Sequence, residues 1–80
     1  MKRNYRKAYN ALKKIGAPVF ERYDHPDRFL LSAEENYTRN WADYWSEFGA
    51  DVDPEVEEIC RKNGIYLEWE NPGCLIAYDI

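Results

Sequence analysis

Between Arg39 and Arg61 the chain has no basic residue, and from Met1 to Gly16 it has no acidic one. The first gap leaves seven carboxylates (Asp43, Glu47, Asp51, Asp53, Glu55, Glu57 and Glu58) with no cation among them. The second leaves Lys2, Arg3, Arg6, Lys7, Lys13 and Lys14 with no anion. The net charge of −4 therefore hides a basic head on an acidic body. Such a chain either closes on itself or offers two faces to two kinds of partner.

Other scarcities narrow the chemistry. His25 is the single histidine, so neither a His–His metal pair nor a histidine dyad can be built. Cys60 and Cys74 stand outside any CxxC spacing, and structural zinc wants four ligands. Neither cysteine sits in a motif that would mark a Cys–His nucleophile. Both read as reduced thiols; a bridge between them would close a loop of about 15 residues, worth at most ~3 kcal/mol. The four glycines (Gly16, Gly49, Gly64, Gly73) all fall at ends of elements, which leaves none for a phosphate-cradling loop. No metal or cofactor is expected. No run approaches the roughly 18 apolar residues of a membrane span, and no apolar core follows the basic start as a signal peptide requires. The expectation is a soluble, cytoplasmic protein without a membrane role. Repeats, low-complexity tracts and linkers are also missing, so residues 1–80 read as a single domain.

Rings are abundant: three Trp, seven Tyr and three Phe. A chain of this length buries only about 60–65% of the surface it exposes when unfolded, and each ring can withdraw roughly 150–250 Å² from water. Thirteen rings exceed what such a core hides. Several should therefore remain at the surface, where Tyr and Trp are favoured contact residues.

Periodicity supplies the elements. Tyr5, Ala8, Tyr9, Leu12 and Ile15 form one helical stripe, with Asn4 as its cap and Gly16 as its stop. Val19 to Tyr23 and Arg28 to Ser32 are β-prone runs around the turn-rich Asp24-His25-Pro26-Asp27, hence a hairpin. Ser32-Ala33-Glu34-Glu35 has the form of a capping box, and Tyr37, Trp41, Tyr44, Trp45 and Phe48 follow at helical spacing, which predicts a second helix secure over Asn40 to Phe48. Asp53-Pro54 starts a third, with Val56, Ile59 and Cys60 inward, acids early and bases late. Ile65 to Glu70 and Cys74 to Ile80 alternate as a second hairpin. With Asn71 opposite Cys74, the register sets Trp69 against Ile76, Leu67 against Tyr78 and Ile65 against Ile80. Pro72-Gly73 favours a type II turn, so a loop longer than two residues is expected. The predicted architecture is an α+β domain of order α-β-β-α-α-β-β, an antiparallel sheet of two hairpins packed against helices.

Two surfaces remain as candidate sites. Asp51, Asp53 and Glu55 alternate as calcium ligands do, but the glycine of a calcium loop is missing and Pro54 commits the segment to starting a helix. Nothing places two carboxylates across a cleft, so no catalytic residue is assigned and an enzyme is not expected. Spaced carboxylates on a small rigid domain can instead imitate a phosphate backbone and steer a basic groove towards them. Asp43, Glu47, Asp51, Asp53, Glu55 and Glu58 would supply that field, and Tyr37, Tyr44 and Tyr66 the aromatic anchors. The expected function is a non-enzymatic interaction module docking on a basic, nucleic-acid-handling protein. Small acidic chains of this sort are frequent among phage and mobile-element inhibitors of host defence, anti-CRISPR proteins included, a likeness of class and not of motif. The alternative is a nucleic-acid-associated or regulatory protein that uses the basic first helix against phosphate. An exposed sheet edge or spare aromatic patch would also invite a homodimer.

Overall fold

The computed structural model describes residues 1–22, 27–46, 49 and 51–80. Its elements run α1 (Arg3–Lys14), β1 (Val19–Glu21), β2 (Phe29–Ser32), β3 (Ala42–Asp43), β4 (Asp51–Val52), α2 (Pro54–Lys62), β5 (Ile65–Asn71) and β6 (Cys74–Asp79). The class is α+β as expected, but the order differs: β3 falls within the segment predicted as the middle helix and pairs with β4 beyond it, while Phe48, the predicted end of that helix, lies outside the described residues. The main sheet is antiparallel throughout, in the order β1-β2-β6-β5.

The stripe on α1 buries Tyr5, Ala8 and Leu12, with Tyr9 and Ile15 packed at the margin. At its end the Gly16 N–H donates to the Lys13 carbonyl (3.0 Å) and the Ala17 N–H to the Leu12 carbonyl (2.9 Å). That paired closure needs a left-handed residue at its centre, and Gly16 supplies it at φ 86°. Asn4 is not the cap. The helix begins two residues earlier than that cap implies, at Arg3, with no side-chain cap, and the Asn4 amide instead donates to Asn63 O (3.3 Å) and Asp79 Oδ1 (3.0 Å), tying the start of the chain to its end.

In α2 the sequence signals hold. Asp53 accepts from the N–H groups of Glu55 (2.9 Å) and Val56 (3.4 Å), Pro54 opens the helix, and Val56 and Cys60 face inward. A cap of this type stabilises by about 1 kcal/mol.

The middle helix fails at Asn36. Its Oδ1 accepts from the Trp41 N–H (3.0 Å), while its amide donates to the carbonyls of Ala33 (3.1 Å) and Ala42 (3.0 Å). One side chain thus satisfies backbone groups at both ends of the segment and holds it as a loop. Asn36, Thr38 and Asn40 all compete with helical backbone bonding. The capping-box serine does bond locally, Glu34 N–H to Ser32 Oγ (3.1 Å), but no helix propagates from it.

Strand pairing corrects the second hairpin. Asn71 does face Cys74, but a bulge between Trp69 and Asn71 slips the rest by one, giving Trp69–Leu75, Leu67–Ala77 and Ile65–Asp79. The Pro72-Gly73 turn keeps two residues, and Gly73 is not at positive φ, so it is not type II. The bulge absorbs the mismatch of twist that a longer loop was expected to absorb. Gly73 lets the Glu34 side chain lie close: a Cβ there would be 2.7 Å from Glu34 Oε1 and would push that exposed carboxylate aside.

Residues opposite one another on antiparallel strands share a face. Val19, Phe29, Leu31, Ile65, Leu75 and Ala77 therefore point together, and they form one core with α1, α2, Trp41 and Ala42. Each fully buried side chain of this size stabilises by roughly 1.5–3 kcal/mol. Both helices cover this face. On the other lie Phe20, Leu30, Ile76, Tyr78 and Tyr66, with no helix over them. Ile76 is buried even so. Arg22, directly after β1, reaches across the two central strands to Glu70 (3.1 Å), and Arg28 stacks on the Tyr78 ring at 4.9 Å. The apolar stems of two arginines roof this side. Cys60 and Cys74 are free thiols. Among the described residues no helix is long and apolar enough to cross a membrane.

Candidate functional site

Of the expected acidic surface, the structure divides the residues into three groups. Asp53 and Glu55 are bound by Arg39, which donates to Asp53 through Nε (2.8 Å) and Nη2 (2.7 Å) and to Glu55 through Nη2 (2.9 Å). The same guanidinium lies 4.3 Å from the centre of the Trp41 ring. Arg39, followed by the N–H groups of Glu55 and Val56, holds the Asp53 carboxyl below its usual range against the opposing effect of burial. Glu58 is taken by its own helix, paired with Arg61 (2.6 Å) and, more loosely, Lys62 (3.9 Å). These three carboxylates are therefore internally compensated.

Asp43 and Asp51 are not. They sit directly opposite each other on the β3–β4 ladder, and neither makes an ion pair among the described residues. Like charges at such a position destabilise a ladder. The ladder persists because its partner pair, Ala42–Val52, is anchored in the core and continues into a bond from the Asp53 N–H to the Trp41 carbonyl (2.8 Å). Glu47 lies outside the described residues, as do the histidine of the first turn, His25, and its neighbours Tyr23, Asp24 and Pro26.

Beside this pair stands an aromatic ladder. The Trp45 N–H donates to Asp43 Oδ1 (2.9 Å), a local turn that carries the next side chains outward. Tyr44 meets Trp45 edge-on with centroids 5.1 Å apart, and meets Trp69 of β5 edge-on at 5.3 Å. Trp69 in turn packs against the core. Trp45 is thus held through Tyr44 to the main sheet while 77% of its surface faces water. Helical spacing put this residue in one series with Trp41; with a turn in place of the helix, Trp41 goes in and Trp45 goes out. The signal for it in sequence is only the excess of rings over core volume.

The three predicted anchors are exposed but scattered. Tyr44 belongs to the Asp43–Asp51 surface. Tyr37 is 84% exposed on the loop after β2, and no ring or ion contact joins it to that surface. Tyr66 lies on the far face of the sheet, stacked on Tyr78 at 5.7 Å.

The basic helix does not cover the carboxylates. Lys2 pairs with Asp79 (3.0 Å) and Arg6 with Glu21 (2.9 Å), while Lys13 lies over the rings of Tyr9 and Phe20. Arg3, Lys7 and Lys14 form an exposed stripe opposite the buried one and make no ion pair among the described residues. Among the described residues no cluster of His, Cys, Asp and Glu could hold a metal ion. The Cys60 thiol is pushed up to about 12 by burial, and secondarily by Glu57, which keeps it protonated and inert.

No protein-family model, no curated protein and no solved structure matches this chain.

Proposed function

We propose that this chain is a non-enzymatic docking module whose working surface is the β3–β4 ladder and the turn that follows β3: Asp43, Asp51, Tyr44 and Trp45. The observation that carries the reading is Trp45, a large ring set edge-on against Tyr44 yet mostly in water, beside two directly opposed aspartates. An exposed indole held in this way loses little side-chain freedom on binding and offers a large area to desolvate. A cation from a partner would relieve the Asp43–Asp51 repulsion, so the acidic pair gains from association what it costs in the free protein. The partner of matching chemistry is a basic protein surface, such as the nucleic-acid groove of a nuclease or effector complex. A phage-borne inhibitor of host defence, of the anti-CRISPR kind, is the setting in which this surface would act.

The test is affinity capture of a basic partner and its binding kinetics. Trp45→Ala and the double change Asp43→Asn, Asp51→Asn should each abolish capture while the far-ultraviolet spectrum stays unchanged, and the wild-type on-rate should fall with salt. Capture that survives both variants overturns the reading.

A second reading is favoured by one observation on the opposite side. Arg3, Lys7 and Lys14 line one exposed side of α1 and make no ion pair among the described residues, while Asp79, the acid at the start of the helix, is held by Lys2 and Asn4. Arg3, Lys7 and Lys14 then face phosphate. Mobility shift with duplex and single-stranded DNA and RNA decides it: binding that disappears when all three are changed to Glu supports nucleic-acid contact. No shift at low salt removes it.

A further inference from the structure

The two outer strands of the main sheet are finished differently. The edge at β1 is three residues long, follows Pro18, and has Glu21 occupied by Arg6. Short strands and nearby proline are the usual ways a sheet avoids pairing with another chain. The edge at β5 is seven residues long, contains no proline or lysine, and among the described residues is paired with β6 alone; Glu68, Glu70 and the bulge after Trp69 guard its second half and leave the first half open. Its first half opens into a groove of about 250 Å³ between β5 and α2, lined by Ile65, Tyr66, Leu67 and Ile80 with Glu57 and Arg61 at the rim. Ile80 is 77% exposed and Tyr66 43%. The open first half of this edge and an apolar groove coincide here.

We propose that this edge binds a second copy of the chain, β5 against β5 in antiparallel register about a two-fold axis beside Tyr66. Charge complementarity identifies the occupant. The exposed side of α2 is acidic towards its start (Glu57) and basic towards its end (Arg61, Lys62). A two-fold axis through the groove sets two α2 helices antiparallel, so Glu57 of each copy meets Arg61 of the other. Glu57 makes no ion pair among the described residues. Among the described residues Arg61 is paired with Glu58, an exposed contact within its own helix.

The strands agree with that choice. Only registers that keep both helix-covered faces on one side are allowed, because side chains alternate. With the axis beside Tyr66, Ile65 faces Leu67 of the other copy twice and Tyr66 meets its own counterpart. Glu68 falls opposite Gly64. With the axis at Glu68 two carboxylates would be directly opposed, which disfavours that register. Past Trp69 the bulge bends the strand and ends the seam. The product is one continuous sheet of eight strands with both helical layers on one side. A seam this short forms a modest interface, so dissociation in the roughly micromolar range is expected. Neither this dimer nor the proposed Trp45 surface depends on the other, since they use opposite ends of β5.

Sedimentation equilibrium of the wild-type chain should show concentration-dependent association to twice its 9.6 kDa mass. A monomer up to near-millimolar concentration overturns the proposal. Glu57→Arg and Arg61→Glu should each weaken the dimer about tenfold, since each creates two like-charge contacts, and the double variant should recover wild-type affinity. Equal weakening in the double variant overturns it. Register is tested by crosslinking with oxidised glutathione in a Cys74→Ser background. Residues directly opposed across a ladder have Cα atoms about 4.5–5.5 Å apart, within disulfide reach. Tyr66→Cys should therefore give a covalent dimer readily, and Glu68→Cys should not. Crosslinking at Glu68 as fast as at Tyr66 overturns the assigned register.

Discussion

Replacing Asp51 by Lys should make this protein more stable and a poorer binder at once. Asp51 and Asp43 are directly opposed on a ladder only two residues long, and no cation among the described residues lies between them. A cross-strand charge pair is worth roughly 0.2–1 kcal/mol in either direction. Asp51→Lys removes a repulsion and adds an attraction, a swing of about 0.5–2 kcal/mol. In a domain of this size 1 kcal/mol moves the thermal midpoint by about 4–8 °C, so a rise of roughly 2–16 °C is expected at low ionic strength. At 1 M salt the screening length falls to about 3 Å and most of the gain should vanish. Asp43→Asn keeps an acceptor for the Trp45 N–H and removes only the repulsion, so its gain should be smaller. The assay is calorimetry or circular dichroism melting at two salt concentrations, followed by partner capture. A midpoint unchanged or lowered at low salt would show that the two aspartates do not oppose each other. Capture undiminished in a stabilised Asp51→Lys variant would refute the role given to the pair.

Three further outcomes follow from the same geometry. Asp53→Ala should cost about 1 kcal/mol through the lost cap, whereas Asp53→Asn keeps the cap and loses only the charge; urea unfolding of both separates the two effects. Because Arg39 depresses the Asp53 pKa in the folded state, its stabilisation is complete above the ordinary carboxylate value of about 4 and is lost as pH falls through the lower folded value. The acid limb of the stability profile should accordingly flatten in Asp53→Asn. Leu12→Ala, at a fully buried position on α1, should cost roughly 2–5 kcal/mol, a large part of the total stability, read as a lower urea midpoint. Cys60 should label with a thiol reagent only as fast as the fold opens, while half-exposed Cys74 reacts in the native state; equal native rates would contradict the burial of α2.

How much of this was legible in the sequence varies by element. Helix α2 was read correctly because its instructions are local: Asp53 and Pro54 at the start, charges ordered along the dipole, and Asn63-Gly64 at the end. Helix α1 was read from its stripe, but Asn4 misled, because the demand for its amide came from Asn63 and Asp79, some sixty and seventy-five positions away. The middle helix was mispredicted for a similar reason. Trp41 and Trp45 fit a helical period, yet Asn36 could bond three backbone groups of a loop at once, and Trp41 and Ala42 could reach the core from that loop. The candidate site inherited the error. Tyr44, Asp43 and Asp51 were named as contact residues, while Trp45 was not, and Arg39 was passed over because only folding brings it beside Asp53 across a separation of fourteen residues.

Local chemistry along the chain was enough to determine the α+β class, the first and last helices and the two hairpins of the main sheet, that the rings exceed the core, and that the charge is segregated. Each of those properties depends on neighbours within a few residues or on composition alone. Tertiary structure decided which charges cancel and which stay open. Arg39 silences Asp53 and Glu55, Arg61 and Lys62 silence Glu58, and α1 turns its free cations away from all of them. Only after that distant pairing are Asp43, Asp51 and Trp45 left together at the surface, because a carboxylate's availability is set by what folds against it, and sequence order does not record those distances.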